Sequence, residues 1–289
     1  MARAQANGIE LEHDSFGSPG DPPLLLVMGL GAQMTTWPEA FCQQLADRGY
    51  FVIRFDNRDV GLSTKLDDAP TPDLVAALGG DLSSASYSLE DMADDAAGLL
   101  DALGIASAHV VGASMGGMIA QTIAIRHPER VRTLASIMST TGAPEGLVPA
   151  PEALEVLLRP PATTREEAVE ASVAGSLVIG STGFPVDEAE LRRRAEAAYD
   201  RSYYPVGTAR QLLAIQVSGD RTEALQQLDV PTVVIHGSID PLVPPLGGEL
   251  TAKAIPGAQH LVIEGMGHDL PEGAWPVVLD AIVANAGGG

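Results

Sequence analysis

Residues 108–124 read Ala108-His109-Val110-Val111-Gly112-Ala113-Ser114-Met115-Gly116-Gly117-Met118-Ile119-Ala120-Gln121-Thr122-Ile123-Ala124. A short apolar run is followed by a Gly-x-Ser-x-Gly turn and then by a run suited to a buried helix. Strand, tight turn and helix form the context in which that motif carries chemistry, because the serine then sits on a cramped turn with its hydroxyl above the sheet. The flanking glycines let neighbouring backbone pass close by. The helix start favours negative charge developing at the turn. In a chain with 31 glycines the five residues alone would be weak. Their setting and the residues downstream give them weight.

Working outward, residues 9–16 alternate as a strand, and 24–28 form an apolar run that ends at Gly29 and suits a buried parallel strand. A helix over 37–47 stops at Gly49, and 50–55 form the next strand. A loop rich in Asp, Pro and Gly covers 56–86. Ser88, with Asp91 three residues on, caps a helix that runs to Leu103. Residues 131–138 form another strand. This β–α alternation predicts an α/β fold, a mostly parallel sheet with helices on both faces. The alternation breaks over 141–229, where helices are expected at 151–159, 164–178, 187–203 and 207–217. It resumes with strands at 231–236 and 259–264 and helices at 245–255 and 272–286. The expected organisation is therefore a core of residues 1–140 and 230–289 with an inserted helical cap, 141–229.

A serine hydroxyl needs a base beside it, and histidine is the usual one. Of six histidines, His13, His109, His127 and His260 are read as structural or surface residues. His109 stands at the opposite end of its strand from Ser114, and His13 is taken to lie far from the active edge. His236 ends a strand and remains an alternative. His268, in Gly265-Met266-Gly267-His268-Asp269 just after the last strand, is the preferred base. An imidazole in that role needs an acceptor to hold its tautomer. Asp240, in Gly237-Ser238-Ile239-Asp240-Pro241, follows a strand at the sheet's carboxyl edge, where open α/β folds gather their sites. Its other reading is a turn aspartate before proline. The stretch Ser139-Thr140-Thr141-Gly142, one strand earlier, offers no carboxylate before Glu145. Asp269 is set aside because it points elsewhere on an extended chain.

The order Ser114, Asp240, His268 is that of α/β-hydrolases. With 26–31 (Leu-Val-Met-Gly-Leu-Gly), 53–63 (Ile-Arg-Phe-Asp-Asn-Arg-Asp-Val-Gly-Leu-Ser), the turn at Ser114 and 265–268, the chain resembles capped α/β-hydrolases over nearly its whole length. It is similar to the aclacinomycin methylesterase group and to mycobacterial carboxylesterases of the lipase class. These motifs specify the fold far better than the substrate. The resemblance implies an oxyanion hole made by the backbone amides of Met115 and Leu30. Met28 departs from the histidine that many relatives carry before the glycine, which removes a side-chain bond that shapes this loop. The resemblance also implies that 56–59 (Asp-Asn-Arg-Asp) buttresses the site rather than reacting.

Composition bounds the partners. The formal charge is −21, and aromatics are 4% of the 289 residues. Such a surface repels nucleic acid and anionic membranes, and it lacks the rings of a base-stacking binder. Only Lys65 and Lys253 are lysines, which fits a GC-rich genome or salt adaptation equally. Cys42 is the only cysteine, so no intrachain disulfide forms. The first residues lack an apolar signal core and no run has the length of a membrane span, so a cytoplasmic protein without membrane anchoring is expected. A homo-oligomer is compatible with all of this. No histidine, carboxylate or cysteine cluster has metal spacing, and Gly29-Leu30-Gly31 lacks the third glycine of a dinucleotide fingerprint. Neither metal nor cofactor is therefore expected.

Leu147, Val148, Leu154, Leu157, Leu158, Val173, Leu177, Phe184, Tyr203 and Tyr204 are candidates to line or stiffen the cap. Few arginines have an evident inward place. The expected activity is hydrolysis of a small to medium hydrophobic carboxylic ester through an acyl-enzyme on Ser114. Carbon–carbon bond hydrolysis, thioester hydrolysis or cofactor-free perhydrolysis on the same residues is the alternative, with a hydrolase-like ligand-binding protein as a third reading.

Overall fold

The computed structural model describes residues 1–287. Eight strands form one sheet: β1 Ala2–Ala6, β2 Ile9–Phe16, β3 Pro23–Val27, β4 Phe51–Phe55, β5 Ala108–Ala113, β6 Val131–Ile137, β7 Thr232–Gly237 and β8 Gln259–Ile263, in the order β1-β2-β4-β3-β5-β6-β7-β8. β1 with β2 and β2 with β4 pair antiparallel, and the other pairs are parallel. The helices are α1 Glu39–Ala46, α2 Leu74–Leu78, α3 Leu89–Ala102, α4 Met115–Arg126, α5 Pro151–Leu157, α6 Arg165–Ile179, α7 Glu188–Arg201, α8 Pro205–Ser218, α9 Thr222–Leu225, α10 Pro245–Ala254 and α11 Trp275–Gly287. Among the described residues none is long and apolar enough to cross a membrane.

The two-residue period of a strand divides the core. Leu25 and Val27 of β3, with Ile53 and Phe55 of β4, pack against Met92 and Leu99 of α3 and Met118 and Ile119 of α4. Leu24, Leu26 and Val52 point the other way, onto Phe41 and Leu45 of α1 and Trp275, Val278 and Leu279 of α11. Residues 24–27 are fully buried, as a strand covered on both faces must be. Each such side chain contributes about 1.5–3 kcal/mol through removal from water. Ser88 and Asp91 form the expected capping box of α3.

Three elements depart from the sequence reading, the shortest being α9, which falls between the expected helix 207–217 and strand 231–236. The first is β1, which has no apolar pattern. Asn7 and Gly8 both have positive φ (48° and 80°), which matches the two-residue hairpin turn whose twist suits antiparallel strands, and the turn folds residues 2–6 back onto β2. The second is α2 within the 56–86 loop, started by Asp73, whose side chain accepts from the Ala76 amide. Between β6 and β7 the described residues form helices and turns, from α5 to α9, with a small apolar centre of their own at Val169, Val173 and Ala195.

Candidate active site

Ser114 stands between β5 and α4 with φ 56° and ψ −125°. This backbone conformation is strained for a residue with a Cβ and costs of order 1–3 kcal/mol. The turn survives because its neighbours fix it. The Ser114 amide donates to the Ile137 carbonyl at 2.9 Å, and the Gly117 amide donates to the Ser114 carbonyl at 2.8 Å. The glycines are required by contact: a Cβ on Gly112 would stand 2.0 Å from the Gly116 carbonyl oxygen, and one on Gly116 would stand 2.1 Å from that of Val27.

His268 follows β8, and its Nε2 lies 2.9 Å from Ser114 Oγ. Its Nδ1 lies 2.7 Å from Asp240 Oδ2, on the loop after β7. With Asp240 ionised, Nδ1 carries the proton and Nε2 is left to accept from the serine hydroxyl. Asp240 satisfies both of its sequence readings at once. Its Oδ1 accepts the Leu242 and Val243 amides, each at 2.9 Å, as a turn aspartate does, while Oδ2 meets the imidazole. The Asp240 and His268 side chains are buried, and Ser114 is half-buried.

None of the other histidines meets Ser114. His236 Nε2 donates to the Val243 carbonyl at 2.9 Å and is 3.6 Å from Asp240 Oδ2. It therefore sits behind the Asp240 loop, and burial holds its pKa below the ordinary value. His109 meets Thr133 Oγ1, and His127 meets Asp94. His13 corrects the sequence reading in part: it pairs with Phe55 at the carboxyl end of β4, level with the active edge, but β4 and β3 separate its strand from β5. Asp269 turns away from the imidazole, and its Oδ1 accepts the Ser181 amide and hydroxyl.

The loop after β3 comes up against the serine. The Gly31 amide is taken by Gln211 Oε1 at 2.8 Å, and the Ala32 amide donates to the Gly29 carbonyl at 3.3 Å. The Leu30 and Met115 amides are spent in none of the loop and turn hydrogen bonds among the described residues. Asn57 Nδ2 donates to the Met28 carbonyl at 2.9 Å, so a side chain on the neighbouring strand's loop shapes the segment that Met28 itself does not. Gln211 Nε2 also donates to the Arg58 carbonyl. Sequence reasoning missed Asn57 and Gln211 in these roles.

The 56–59 loop is a charged buttress. Fully buried Asp56 accepts the Met34 and Leu62 amides at 2.7 and 2.8 Å. Arg201 Nη2 stands 2.7 Å from its Oδ2 as a charge contact outside hydrogen-bond alignment. Arg58 and Asp95 form a buried bidentate pair with both bonds at 2.6 Å. Asp59 faces Arg210 at 3.4 Å.

A cleft of about 230 Å³ opens between the helical block and the core, from Leu30 and Gly31 to Leu74, Leu157, Tyr203 and Tyr204. Of the predicted lining residues, Leu157, Tyr203 and Tyr204 reach it. Val173 belongs to the block's own centre, and Phe184 packs on the core. Leu147, Val148, Leu154, Leu158 and Leu177 are exposed. Two arginines of this block do point inward, Arg210 and Arg221, which are buried, while Arg159 lines the cleft as an exposed residue. The cleft's lining reaches the Ser114 side only at Leu30 and Gly31 and holds none of Ser114, Asp240 and His268, and neither does a hollow of about 400 Å³ beside Arg3, Glu10 and Asp67.

Comparison with known proteins bears on the fold and the family. A family model described as alpha/beta hydrolase fold matches residues 22–273. A rhodomycin D methylesterase of Streptomyces sp. strain C5 is 32% identical, over 96% of this chain and 95% of its own. A 2-hydroxy-6-oxononadienedioate/2-hydroxy-6-oxononatrienedioate hydrolase of Burkholderia vietnamiensis is 30% identical, over 91% of this chain and 86% of its own. The solved structure of an enol-lactonase from Burkholderia xenovorans superposes with a TM-score of 0.75 at 25% identity, covering 98% of this chain and 99% of that one.

Proposed function

The chain belongs to the alpha/beta hydrolase fold family, and on that premise we propose that it hydrolyses carboxylic esters of small to medium hydrophobic substrates through an acyl-enzyme on Ser114. The observation that carries the reading is the unbroken chain from Asp240 through His268 to Ser114 Oγ, at 2.7 and 2.9 Å, beside two uncommitted amides.

In this reading His268 Nε2 takes the serine proton as Oγ attacks the ester carbonyl. The tetrahedral oxyanion is held by the Leu30 and Met115 amides. One such donor is worth roughly 10²–10³ in rate. Collapse breaks the bond to the alcohol oxygen, which leaves with the proton from His268. Water then attacks the acyl-enzyme, giving its proton to Nε2, and the second collapse returns that proton to Ser114 and frees the acid. Asp240 holds the Nδ1 proton and stabilises the imidazolium in both halves. Residues 141–229 act as a cap over the cleft, and the apolar and aromatic walls at Leu74, Leu157 and Tyr203 suit a hydrophobic substrate. The methylesterase similarity supports an oxygen ester.

The test is burst kinetics on p-nitrophenyl esters from C2 to C12 with wild type and Ser114→Ala. Turnover with a burst is expected in wild type, and a loss of at least ~10³-fold in the variant. Full activity in Ser114→Ala would overturn the reading. The similarity to the Burkholderia vietnamiensis hydrolase keeps a second reading, carbon–carbon bond cleavage on the same residues. Greater activity on vinylogous diketones than on oxygen esters would select it.

A further inference from the structure

The cap touches the catalytic loop in one place with unusual density. Where α6 ends, the Ile179 carbonyl accepts the backbone amide of His268 itself at 2.7 Å. Two residues on, the Ser181 amide donates to Asp269 Oδ1 at 2.9 Å, and the Ser181 hydroxyl donates to the same oxygen. The Ser181 hydroxyl oxygen in turn accepts the Gly267 amide at 2.9 Å. The Gly183 amide donates to the Gly265 carbonyl at 2.9 Å. The backbones are in direct contact, since a Cβ on Gly267 would stand 2.5 Å from the Gly180 carbonyl carbon. Ser181 is 3% exposed, so these bonds are shielded from competing water.

Asp240 grips only the Nδ1 edge of the imidazole and leaves the height and tilt of the ring to its backbone. That backbone is pinned on the cap side by the 179–183 turn and on the core side by Ser238, whose hydroxyl accepts the Gly265 amide at 2.9 Å. A misplacement of about 1 Å at a reacting group costs on the order of 10²-fold. We infer that Ser181 and Asp269 are positioning residues for His268: the end of α6 clamps residues 265–269, so that the base stands within reach of Ser114 Oγ only while this part of the cap is seated. Asp269, set aside by sequence for pointing away from the imidazole, acts because it points away, into the cap. The inference rests on the reading of His268 as the base for Ser114.

The experiment compares Asp269→Ala and Ser181→Ala with wild type and Ser114→Ala on p-nitrophenyl acetate. Far-UV circular dichroism and melting establish folding, and the downfield proton resonance of the His268 Nδ1–Asp240 hydrogen bond reports the ring. The expected result is a kcat lower by about 10–100-fold in each variant, with KM within threefold and the downfield resonance shifted or broadened. The double variant should lose less than the product of the two single losses, because both remove the bond between the Ser181 hydroxyl and Asp269 Oδ1. A turn that merely stabilised the cap would lower melting and leave kcat and the resonance unmoved in folded protein, and that outcome overturns the proposal. Should either variant fail to fold, Ser181→Cys, close in size with a weaker hydrogen-bonding group, carries the same test. It should lower kcat severalfold at constant KM, and wild-type kcat there overturns the proposal equally. Ser114→Ala separates the two levels: an active Ser114→Ala removes the underlying reading, whereas an inactive one beside an Asp269→Ala with wild-type kcat removes this inference alone.

Discussion

Gly29 lies against Ser114 so closely that a Cβ on it would stand 3.0 Å from the serine Cβ and 3.4 Å from Oγ, with the Ala113 carbonyl oxygen at 3.1 Å. The glycine that ends the β3 run is therefore a wall of the space around Ser114 Oγ, and the Leu30 amide follows directly on it. Gly29→Ala should press on Oγ and shift the Leu30 amide. The expected loss is about 10–100-fold in kcat/KM, at a stability cost near 1 kcal/mol, because a crowded contact must relax. Steady-state kinetics with urea unfolding checks both, and wild-type kinetics would show that the loop yields freely.

Gly112→Ala and Gly116→Ala should behave differently. Their new Cβ atoms would meet backbone carbonyl oxygens at 2.0 and 2.1 Å, which cannot rotate away as a side chain can. Overpacking of this kind typically costs about 1–3 kcal/mol and more where backbone is struck. Both variants should lose at least about 3 kcal/mol or fail to fold, with the loss read from urea midpoints or soluble yield. Either variant within about 1 kcal/mol of wild type would contradict the packing of β3, β5 and α4.

These contacts show which parts of the molecule were legible beforehand. The turn at Ser114 announces itself because every constraint on it is local: strand, two glycines and helix lie within a few residues. The meeting of His268 and Asp240 with Ser114 was legible because each lies in a short loop after a recognisable strand, and the parallel sheet brings such loops to one edge. Gln211 was not legible, because its partner Gly31 is 180 residues away and nothing in a helical Arg-Gln-Leu-Leu marks the glutamine as a buried clamp. Ser181 was hidden for the same reason. β1 carried a readable signal at Asn7-Gly8, but its alternating small and polar residues masked the strand. The apolar residues of 141–229 divided between cleft, core and solvent because a helical period states that a face exists and not what covers it.

The Arg58–Asp95 pair yields a stability prediction. Burial outweighs the Arg58 hydrogen bonds and pushes the Asp95 carboxyl up, so desolvation is a real cost here. Asp95→Ala would strand the guanidinium of Arg58, whose side chain is 8% exposed. The expected cost is about 3–5 kcal/mol. The double replacement Arg58→Met/Asp95→Leu removes both charges and should be less destabilised than Asp95→Ala. Urea unfolding of the three proteins decides it, and a double variant weaker than the single one would refute the argument.

His236 sets a pH dependence. Burial lowers its pKa, against the raising effects of the Val243 hydrogen bond and of Asp240. The unfolded chain protonates this histidine near pH 6.5, whereas the folded chain refuses the proton until lower pH. Stability from this residue is thus complete above about pH 6.5 and declines as pH falls from there to the folded value, at up to about 1.4 kcal/mol per pH unit. Denaturation at pH 7.5, 6.5 and 5.5 should show the decline. His236→Gln, which keeps a donor for Val243, should show a shallower slope, and equal slopes would exclude His236 as a source.

Asn57 and Gln211 together test whether the loop after β3, proposed to carry an oxyanion donor at Leu30, is preorganised from outside itself. Asn57 Nδ2 holds the Met28 carbonyl, and Gln211 Oε1 holds the Gly31 amide, each bond at 2.8 or 2.9 Å. They grip the segment on either side of the Leu30 amide, and neither touches it. An oxyanion donor is worth most when its position costs no reorganisation as charge develops. Loosening its supports should therefore weaken the transition state more than the ground state. Asn57→Ala and Gln211→Ala are each expected to lower kcat about tenfold with KM nearly unchanged. They should also weaken an alkylboronic acid, whose adduct with Ser114 carries the tetrahedral charge, by a similar factor. Gln211→Ala further frees the Arg58 carbonyl, so it should be the less stable of the two. A loss confined to KM would place these residues in substrate binding, and boronate affinity equal to wild type would show that the loop keeps its shape without them.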